Sequence, residues 1–513
     1  MLLTNLVHEN MKKYGEYPFL YYGDEVYSNV QIEEIGKHFA KFLTFYGIAK
    51  GDPVLVCMPH RPEVVFAYQG ILRSGAIVIP VMHLLHANEI NYILANSEAK
   101  AVITSSEILP KIQQATQNLQ HPVKIISVDP TERKQSSHYE IISWSKTIPI
   151  QIVLNEEKLN LKKSDVAVIL YTSGTTGKPK GVMLTHRNLT ANLLSSDELQ
   201  QDNERGTTIV VLPLAHVYGF GVMNGCFYRG NSAVIFSKFD TEQIFQAIET
   251  HRVKSFAAVP AMIHAMVSSP NSENYDLSSL EAVGSGSAAL PHTLRATFQE
   301  KFNAEVRDAY GLSEASPGVT TQRKDMPIKD GSVGVPLPNV QIKIVDQDGN
   351  EVPTGEVGEL IVKGDNVTPG YYKNPEATKE ALKDGWLYTG DMAKVDEDGY
   401  LFIVDRKKDL IIRGGFNIYP RDLEELIAKH PDVSEVAVIG VPSERMGEEV
   451  VACVVKKPGS QATESELIKY CQQRLAKYKT PKEIVFFKEL PRNGVGKILK
   501  MKLKEMYANH HSA

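Results

Sequence analysis

The segment Tyr171-Thr-Ser-Gly-Thr-Thr-Gly-Lys-Pro-Lys-Gly-Val182 directly follows the apolar run Val166-Ala-Val-Ile-Leu170. The run is short and rich in β-branched residues, and a glycine-rich loop follows it, which is typical of a buried strand. Three glycines and four hydroxyl side chains surround Lys178, so the loop can wrap N–H groups and hydroxyls around phosphates. A Walker A loop has a different order, Gly-x-x-x-x-Gly-Lys-Ser/Thr. A flexible connector would explain a generic glycine-rich loop, but not a string this specific, so a strand and a phosphate loop are predicted.

Strand and helix patterns alternate around this segment. Strand-like runs at 54–57, 76–81 and 101–104 are separated by helical stretches, one of which starts at Pro62. This alternation predicts an α/β fold with largely parallel sheets. A polar stretch at about 129–165 is predicted to lie at the surface.

The composition is that of an ordinary globular protein. The chain has 513 residues, 42% of them hydrophobic and 23% charged, with a formal net charge of −5. An acidic balance argues against a general nucleic-acid binder. The N-terminal stretch lacks the pattern of a signal peptide, no apolar run reaches membrane-spanning length, and the cysteines form no Cys-x-x-Cys pair. We therefore expect a cytoplasmic protein with no transmembrane segment.

The C-terminal fifth differs in charge and pattern. Residues 405–513 carry 20 basic and 15 acidic side chains, whereas residues 1–404 carry 36 and 46. A helix is predicted from Pro420 and strands at 436–439 and 450–455, and Thr463 with Glu466 forms a capping box. The sequence predicts a small α+β lobe at 405–513, separate from a large domain at 1–404.

A dinucleotide fingerprint is a competing interpretation at one position. Gly284-Ser-Gly-Ser-Ala-Ala289 fits Gly-x-Gly-x-x-Ala, and Asp308 follows at about the spacing that the fingerprint asks for. A lone match of this type in the middle of a chain is weak evidence, so NAD binding is disfavoured.

Four more segments complete a pattern along nearly the whole chain. They are Asp308-Ala-Tyr-Gly-Leu-Ser-Glu314, Tyr388-Thr-Gly-Asp391, Asp405-Arg-Lys-Lys-Asp-Leu-Ile-Ile-Arg-Gly-Gly415 and Pro491-Arg-Asn-Gly-Val-Gly-Lys497. In this order, with the loop at 171–182, they resemble the motifs of the adenylate-forming superfamily of acyl-CoA synthetases, adenylation domains and luciferases. The resemblance implies a large N-terminal domain of α/β sheets with a β-barrel-like subdomain, and a small mobile α+β C-terminal lid.

The resemblance also implies roles for the motif residues in binding ATP and Mg²⁺. The phosphate loop supplies Thr172, Ser173, Gly174, Thr175, Thr176, Gly177 and Lys178. The adenine pocket is formed by Ser287, Ala288, Asp308, Ala309, Tyr310 and Gly311, while Asp391 and Arg406 hold the ribose. Ser313 contacts phosphate where many relatives have threonine. Glu314 is suited to Mg²⁺, and Lys497 brings a second cation to the reacting phosphate. For an isolated lysine or histidine, a solvated or core position would be the better interpretation.

The substrate segment is His216-Val-Tyr-Gly-Phe-Gly-Val222. In the family, the position of His216 guides the substrate carboxylate and gates access for the thiol. The segment has no acidic residue to pair with an ammonium, and a buried unpaired ammonium is costly, so an amino-acid substrate is disfavoured. The predicted acyl-pocket residues, each of which could equally be plain core, are Tyr218, Gly219, Val222, Pro260 and Met262.

The motif sequences are most similar to those of bacterial medium- or long-chain fatty-acyl-CoA ligases, and nearly as similar to those of aryl-CoA ligases. The resemblance implies activation of a carboxylic acid as acyl-AMP and its transfer to CoA, whose pantetheine passes Gly415. Rotation at a hinge, Lys408, would separate the two steps. A stand-alone adenylating enzyme that loads a carrier protein and a catalytically idle binding protein stay open as alternatives, as does a monomer or homodimer.

Overall fold

The chain divides into two compact units. The structure is a computed structural model that describes residues 1–144, 156–172, 178–199, 205–288, 290–492 and 496–511. The first unit comprises Met1–Ile328, Gly334–Gln341 and Val362–Leu387, and the second comprises Lys329–Val333, Ile342–Ile361 and Tyr388–Ala513. The predicted boundary at residue 405 stays a prediction, because compactness alone does not locate a pivot.

The first unit alternates helices and strands. The helices are α1 (Asn5–Tyr14), α2 (Asn29–Phe45), α3 (Pro62–Arg73), α4 (Ala87–Ser97), α5 (Leu109–Thr116), α6 (His186–Glu198), α7 (Val217–Arg229), α8 (Thr241–His251), α9 (Pro260–Ser268), α10 (His292–Phe302) and α11 (Pro375–Ala381). The strands are β1 (Pro18–Tyr22), β2 (Glu25–Ser28), β3 (Pro53–Cys57), β4 (Ile77–Pro80), β5 (Ala101–Thr104), β6 (Val123–Ser127), β7 (Lys134–Gln135), β8 (Tyr139–Ser143), β9 (Val166–Thr172), β10 (Lys180–Thr185), β11 (Thr207–Val210), β12 (Ser232–Ile235), β13 (Ser255–Ala258), β14 (Ala282–Ser285), β15 (Glu305–Gly311), β16 (Gly318–Thr321) and β17 (Val335–Pro336).

The largest sheet has eight strands in the order β10-β9-β4-β3-β5-β6-β8-β7. Its central pairs are parallel, as the alternation of strands and helices predicts, and β9 and β10 close one edge as an antiparallel pair. Strand β8 corrects one expectation. It lies within the stretch predicted to be surface, yet Ile141 and Ile142 are buried in the core. Charged and polar residues surround this short apolar run, so the local sequence pattern did not indicate a buried strand, although the run pairs with β6.

A second sheet has the order β11-β12-β1-β2, and a third has the order β13-β14-β15-β16-β17. In the third sheet β13, β14 and β15 are parallel, so their carboxyl ends meet at one edge. Buried side chains from α8, α9 and α10 pack on this sheet, among them Phe245, Ile263 and Phe298. The carboxyl edge of a parallel sheet is where α/β proteins usually bind ligands.

Another sheet contains β18 (Val340–Val345), β19 (Gly358–Gly364), β20 (Leu382–Lys383), β21 (Trp386–Val395) and β22 (Leu401–Arg406). Most of its residues belong to the second unit. Strands β20, β21 and β22 are antiparallel to their neighbours. The register of the last pair sets Asp391 opposite Arg406.

The rest of the second unit is an α+β lobe. It contains β23 (Ile411–Arg413), β24 (Phe416–Ile418), α12 (Pro420–Ile427), β25 (Val433–Ser443), β26 (Gly447–Lys456), α13 (Glu464–Gln472), β27 (Glu483–Phe487) and α14 (Lys500–His511). Strand β26 is central, with β25 and β27 beside it, and α12 and α13 cover one face. The predicted helix from Pro420, both predicted strands and the Thr463–Glu466 capping box are confirmed.

Across the described ranges, no helix is both long enough and apolar enough to cross a lipid bilayer.

Candidate active site

The phosphate-loop segment joins the two strands of a hairpin. Thr172 ends β9 and pairs with Lys180 of β10, so the loop between them is anchored at both ends. Lys178 is exposed just before β10. The predicted ligands Ser173, Gly174, Thr175, Thr176 and Gly177 lie outside the described residues. The described strands carry the loop to one edge of the eight-stranded sheet.

Glu314 lies in a short 3₁₀ turn, Ser313–Ala315, that follows β15. Its carbonyl oxygen accepts a hydrogen bond from the Thr368 N–H at 2.8 Å. Its Oε1 accepts one from the Tyr371 hydroxyl at 2.9 Å. The described residues contain no group of three or more His, Cys, Asp and Glu side chains that could cage a metal. A single carboxylate suits Mg²⁺, which is usually held by one or two carboxylates together with substrate phosphates.

The predicted adenine pocket is built on the carboxyl ends of β14 and β15. Ser287 and Ala288 are exposed directly after β14, and Ser287 has a φ of +69°, which is uncommon for a residue with a side chain. Ala309 and the half-buried Tyr310 continue β15, while Gly311 ends it. A strained residue beside a sheet edge is typical of a binding site.

Asp308 has a buried cationic partner that the sequence did not indicate. Its carboxylate forms an ion pair with Arg295 of α10, and both side chains are buried. Its N–H donates to the Gln322 side-chain oxygen at 2.8 Å. A carboxylate has about four acceptor positions, so it can accept hydrogen bonds from more than one partner. The spacing of 13 residues from Arg295 to Asp308 has no sequence signature.

His216 is the N-cap of α7, and its Nδ1 accepts a hydrogen bond from the Tyr218 N–H at 3.3 Å. The Tyr218 ring lies against Gly284 in β14 and Gly286 just after it, because a Cβ on Gly286 would come within 2.9 Å of the ring. Burial, and secondarily the charge of Asp308, raises the pKa of Tyr218 to about 12. The Tyr218 hydroxyl therefore stays protonated near neutral pH. Its ring connects the substrate segment to the end of β14, where the adenine pocket is predicted.

The other predicted pocket residues occupy different environments. Gly219 is buried against the Leu212 and Pro213 carbonyl oxygens, where a Cβ would clash. Val222 packs partly buried on the main core of the unit. Pro260 begins α9, and Met262 packs against the core under the third sheet. Close packing explains the glycine at 219 without any ligand.

The second unit holds the predicted ribose and lysine residues. Asp391 is buried, and its Oδ1 lies 3.2 Å from Nε of Arg406 on the neighbouring strand. Glu359 supports this corner, since it accepts a hydrogen bond from the Gly390 N–H at 3.2 Å and pairs with Lys407 at 2.7 Å. The sequence motifs gave no indication of Glu359, which lies outside them and 31 residues before Gly390.

Lys497 lies close enough to Asp391 and Arg406 for their charges to affect its pKa. Loss of hydration in its protein surroundings, and then the charge of Arg406, lower the pKa of Lys497 to about 8. Asp391 and Asp409 act in the opposite direction, and Lys408 adds a small lowering effect. The motif lysine and the motif ribose residues of this unit are therefore brought together.

The predicted hinge lies in a hydrogen-bonded turn. The N–H groups of Asp409 and Leu410 both donate to the Arg406 carbonyl, at 2.9 and 3.1 Å. These two hydrogen bonds close a turn that contains Lys408. Burial lowers the pKa of Lys408. Gly415 follows Gly414 at the tip of the β23–β24 hairpin, and both have a positive φ, as a two-residue hairpin loop requires.

Comparison with known proteins agrees with this arrangement. Residues 7–372 match the model of the AMP-binding enzyme family, and residues 422–497 match that of the AMP-binding enzyme C-terminal domain. A long-chain-fatty-acid–CoA ligase of Bacillus subtilis is 38% identical over 92% of this chain and 89% of its own. The 4-coumarate–CoA ligase 1 of Solanum tuberosum is 34% identical over 99% of this chain and 94% of its own. ATP-bound MatB from Rhodopseudomonas palustris superimposes with a TM-score of 0.88 at 29% identity, covering 100% of both chains.

The fold and the motif residues define an adenylate-forming enzyme, and the predicted α/β fold class is confirmed. The chain belongs to the AMP-binding enzyme family. It is an AMP-forming acid–thiol ligase, in which ATP activates a carboxylic acid as an adenylate and a thiol accepts the acyl group.

Proposed function

We propose that the acid is a medium- or long-chain fatty acid and that the acceptor is free CoA. The observation that carries this proposal is the uncharged surface at the start of α7. This surface consists of Tyr218, Val222 and the open side of Gly221, and it offers apolar contacts and no carboxylate. The nearest neighbour on the open side of Gly221 is Pro317. Such a wall favours a hydrocarbon tail over a charged one. The 38% identity to a ligase named for long-chain fatty acids supports the same class.

The first half-reaction joins the acid to AMP. A carboxylate oxygen attacks the α-phosphorus of ATP, the bond to the pyrophosphate oxygen breaks, and pyrophosphate leaves with its electron pair. Both reactants are anionic, so positive charge must be supplied at the reacting phosphate. Lys178 and Lys497 supply it in this proposal. Glu314 would hold Mg²⁺, whose charge neutralises the phosphate oxygens when it is bound.

The nucleoside is held by the remaining motif residues. Tyr310 stacks on adenine, with Asp308 near its amine, and the exposed backbone at Ser287 forms another wall. Asp391 accepts hydrogen bonds from the ribose hydroxyls, which suits a carboxylate with several acceptor positions. Arg406, which already contacts Asp391, adds a donor to the same sugar.

The second half-reaction forms the thioester. The CoA sulfur attacks the acyl carbon, the bond to the AMP oxygen breaks, and AMP leaves while the thiol proton passes to solvent. We assign residues 405–513 as a lid that turns at Lys408 between the two steps, so that Lys497 is withdrawn and pantetheine passes Gly415. His216 guides the carboxylate and gates the thiol. Movement of a small domain between two catalytic steps is common in enzymes.

The test is pyrophosphate release across acids from acetate to palmitate, with several aryl acids, each with and without CoA. A CoA-dependent rise that peaks at medium or long chains is the expected result. A peak with aryl acids would move the assignment to the second candidate, which the 34% identity to a coumarate ligase favours. Pyrophosphate release with hydroxylamine but none with CoA would instead indicate a carrier-protein acceptor.

A matched pair of variants connects the test to the structure. Tyr218→Phe keeps the ring and removes the hydroxyl, whereas Tyr218→Ala removes the wall. If the ring bounds the acyl site, the alanine variant should shift the preferred chain length and the phenylalanine variant should not. An unchanged preference in both variants would remove Tyr218 from the pocket.

A further inference from the structure

The segment Thr368-Pro-Gly-Tyr-Tyr372 connects Glu314 to the strand that follows the phosphate loop. The Met183 N–H donates to the Gly370 carbonyl at 3.0 Å, and the Tyr372 N–H donates to the Gly181 carbonyl at 2.7 Å. At its other end, Thr368 bonds the backbone of Glu314. The segment is thus fixed to β10 and to the 3₁₀ turn within a few residues.

Tyr371 is held at the centre of this segment. It forms a β-bridge with Val182, and its N–H donates to Thr378 Oγ1 at 2.9 Å. The Lys180 ammonium lies 5.4 Å from the centre of its half-buried ring. With backbone and ring both fixed, the hydroxyl reaches Glu314 from a rigid base.

The Tyr371 hydroxyl contacts one of the two carboxylate oxygens of Glu314 and does not contact the other. Tyr371 Oη donates to Oε1 of Glu314 at 2.9 Å, and no side chain in the described part of the chain donates to Oε2. Mg²⁺ prefers near-ideal octahedral geometry, so it favours a carboxylate that presents one oxygen in a fixed direction. Hydrogen bonds from a second layer of residues commonly set that direction.

We propose that Tyr371 is a positioning residue for the divalent cation, because it fixes Oε1 of Glu314 and leaves Oε2 as the single ligand oxygen. This inference rests on the proposed role of Glu314 in holding Mg²⁺. It extends that role to a residue outside the motif that contains Glu314. Tyr371 itself touches neither cation nor substrate in this proposal.

The test is the Mg²⁺-dependent gain in ATP affinity, measured by calorimetry without acid so that no turnover occurs. ATP is titrated in EDTA and at saturating Mg²⁺ into wild type, Tyr371→Phe and Tyr372→Phe. Loss of a hydrogen bond to a charged group should reduce the gain about tenfold in Tyr371→Phe and leave the affinity in EDTA unchanged. Tyr372→Phe is the matched control, since its hydroxyl makes a long 3.5 Å contact to the Ser97 carbonyl instead.

Two outcomes overturn the inference. An unchanged gain in Tyr371→Phe shows that the hydroxyl does not position the ligand. An equal loss of affinity with and without Mg²⁺ shows that the residue supports packing or the nucleotide instead.

A double-mutant cycle with Glu314→Gln separates this inference from the proposed function. If Glu314→Gln reduces the gain, Tyr371→Phe should add nothing in that background, and a further loss would contradict a role through Glu314. If Glu314→Gln keeps the gain, or wild type has none, the metal assignment itself is wrong and the inference falls with it. Should Tyr371→Phe fold poorly, Thr378→Val, which removes the hydroxyl that accepts from the Tyr371 N–H, should show the same kind of selective loss to a smaller extent, and an unchanged gain there would contradict the inference.

Discussion

The charge of Lys497 gives a pH test of the adenylation step. Its pKa is lowered to about 8, first by loss of hydration and then by Arg406. A lysine in water titrates near 10.4, so the site moves the loss of the proton into an accessible range. In its proposed role Lys497 acts in the protonated form, because the neutral amine supplies no positive charge to the reacting phosphate. Its rate should therefore fall as the pH rises through about 8.

The size of the effect follows from this value. About nine in ten Lys497 side chains are charged at pH 7, half at pH 8 and about one in ten at pH 9. The rate of adenylation should drop about tenfold between pH 7 and pH 9. Thioester formation from supplied acyl-AMP should rise over the same range, because the CoA thiol ionises near pH 8.5. The two half-reactions should respond to pH with opposite signs.

The assay is ATP–pyrophosphate exchange from pH 6.5 to 10, beside thioester formation from supplied acyl-AMP. Lys497→Arg keeps its charge over the whole range, so its residual exchange should show no alkaline fall. Asp409→Asn removes a neighbour that raises the pKa of Lys497, so its fall should begin at lower pH. Lys497→Ala should lose adenylation and largely keep thioester formation.

Specific results would refute this reasoning. If wild-type exchange stayed level to pH 10, Lys497 would not titrate at the lowered value. If Lys497→Arg kept the same alkaline fall, another group would be responsible. Equal loss of both half-reactions in Lys497→Ala would remove its role in adenylation.

Three further predictions concern packing and motion. Gly219→Ala places a Cβ against backbone carbonyls and should lower the free energy of unfolding by about 2 kcal/mol in urea titration. Gly221→Ala, whose Cβ has 3.6 Å to its nearest neighbour, should be close to neutral, and equal effects would contradict the packing argument. Lys408→Pro stiffens the proposed pivot and should slow thioester formation about tenfold while adenylation stays within about twofold; loss of adenylation alone would reject the hinge. Arg421→Met removes a 2.6 Å hydrogen bond from α12 to the Ile403 carbonyl, which precedes the proposed pivot in the chain. It should slow adenylation about fivefold and spare the thioester step, as separate half-reaction assays would show.

The sequence predicted the fold well where a local signal was strong. Strand β5 matches the apolar run at 101–104, and the Thr463 capping box marks the start of α13. Strand β8 was missed because its neighbours are polar and its apolar run is short. Its burial depends on pairing with β6, which a local pattern does not contain.

The motifs identified the chemistry of the candidate site, but not the partners that tune it. Arg295 on helix α10 pairs with Asp308 on strand β15, and Tyr371 reaches Glu314 across 57 residues. Such pairs are set by tertiary packing, so a single sequence carries no periodic or spacing signal for them. These partners place a positive charge beside one carboxylate and a hydrogen-bond donor beside the other.

The same limit applies to Lys497, and it has a chemical consequence. The glycine-flanked motif identifies the residue, yet a fully hydrated lysine in such a loop would keep its ordinary pKa and stay charged at any physiological pH. Loss of hydration is the first cause of the lowered pKa, and the charges of Arg406 and, to a smaller extent, Lys408 add to it; both residues come from the hinge motif. If the lid turns at Lys408, movement of the hinge changes the field on Lys497 together with its position. The charge that adenylation needs would then depend on the same motion that ends adenylation, so the pH profile of exchange also reports on the hinge.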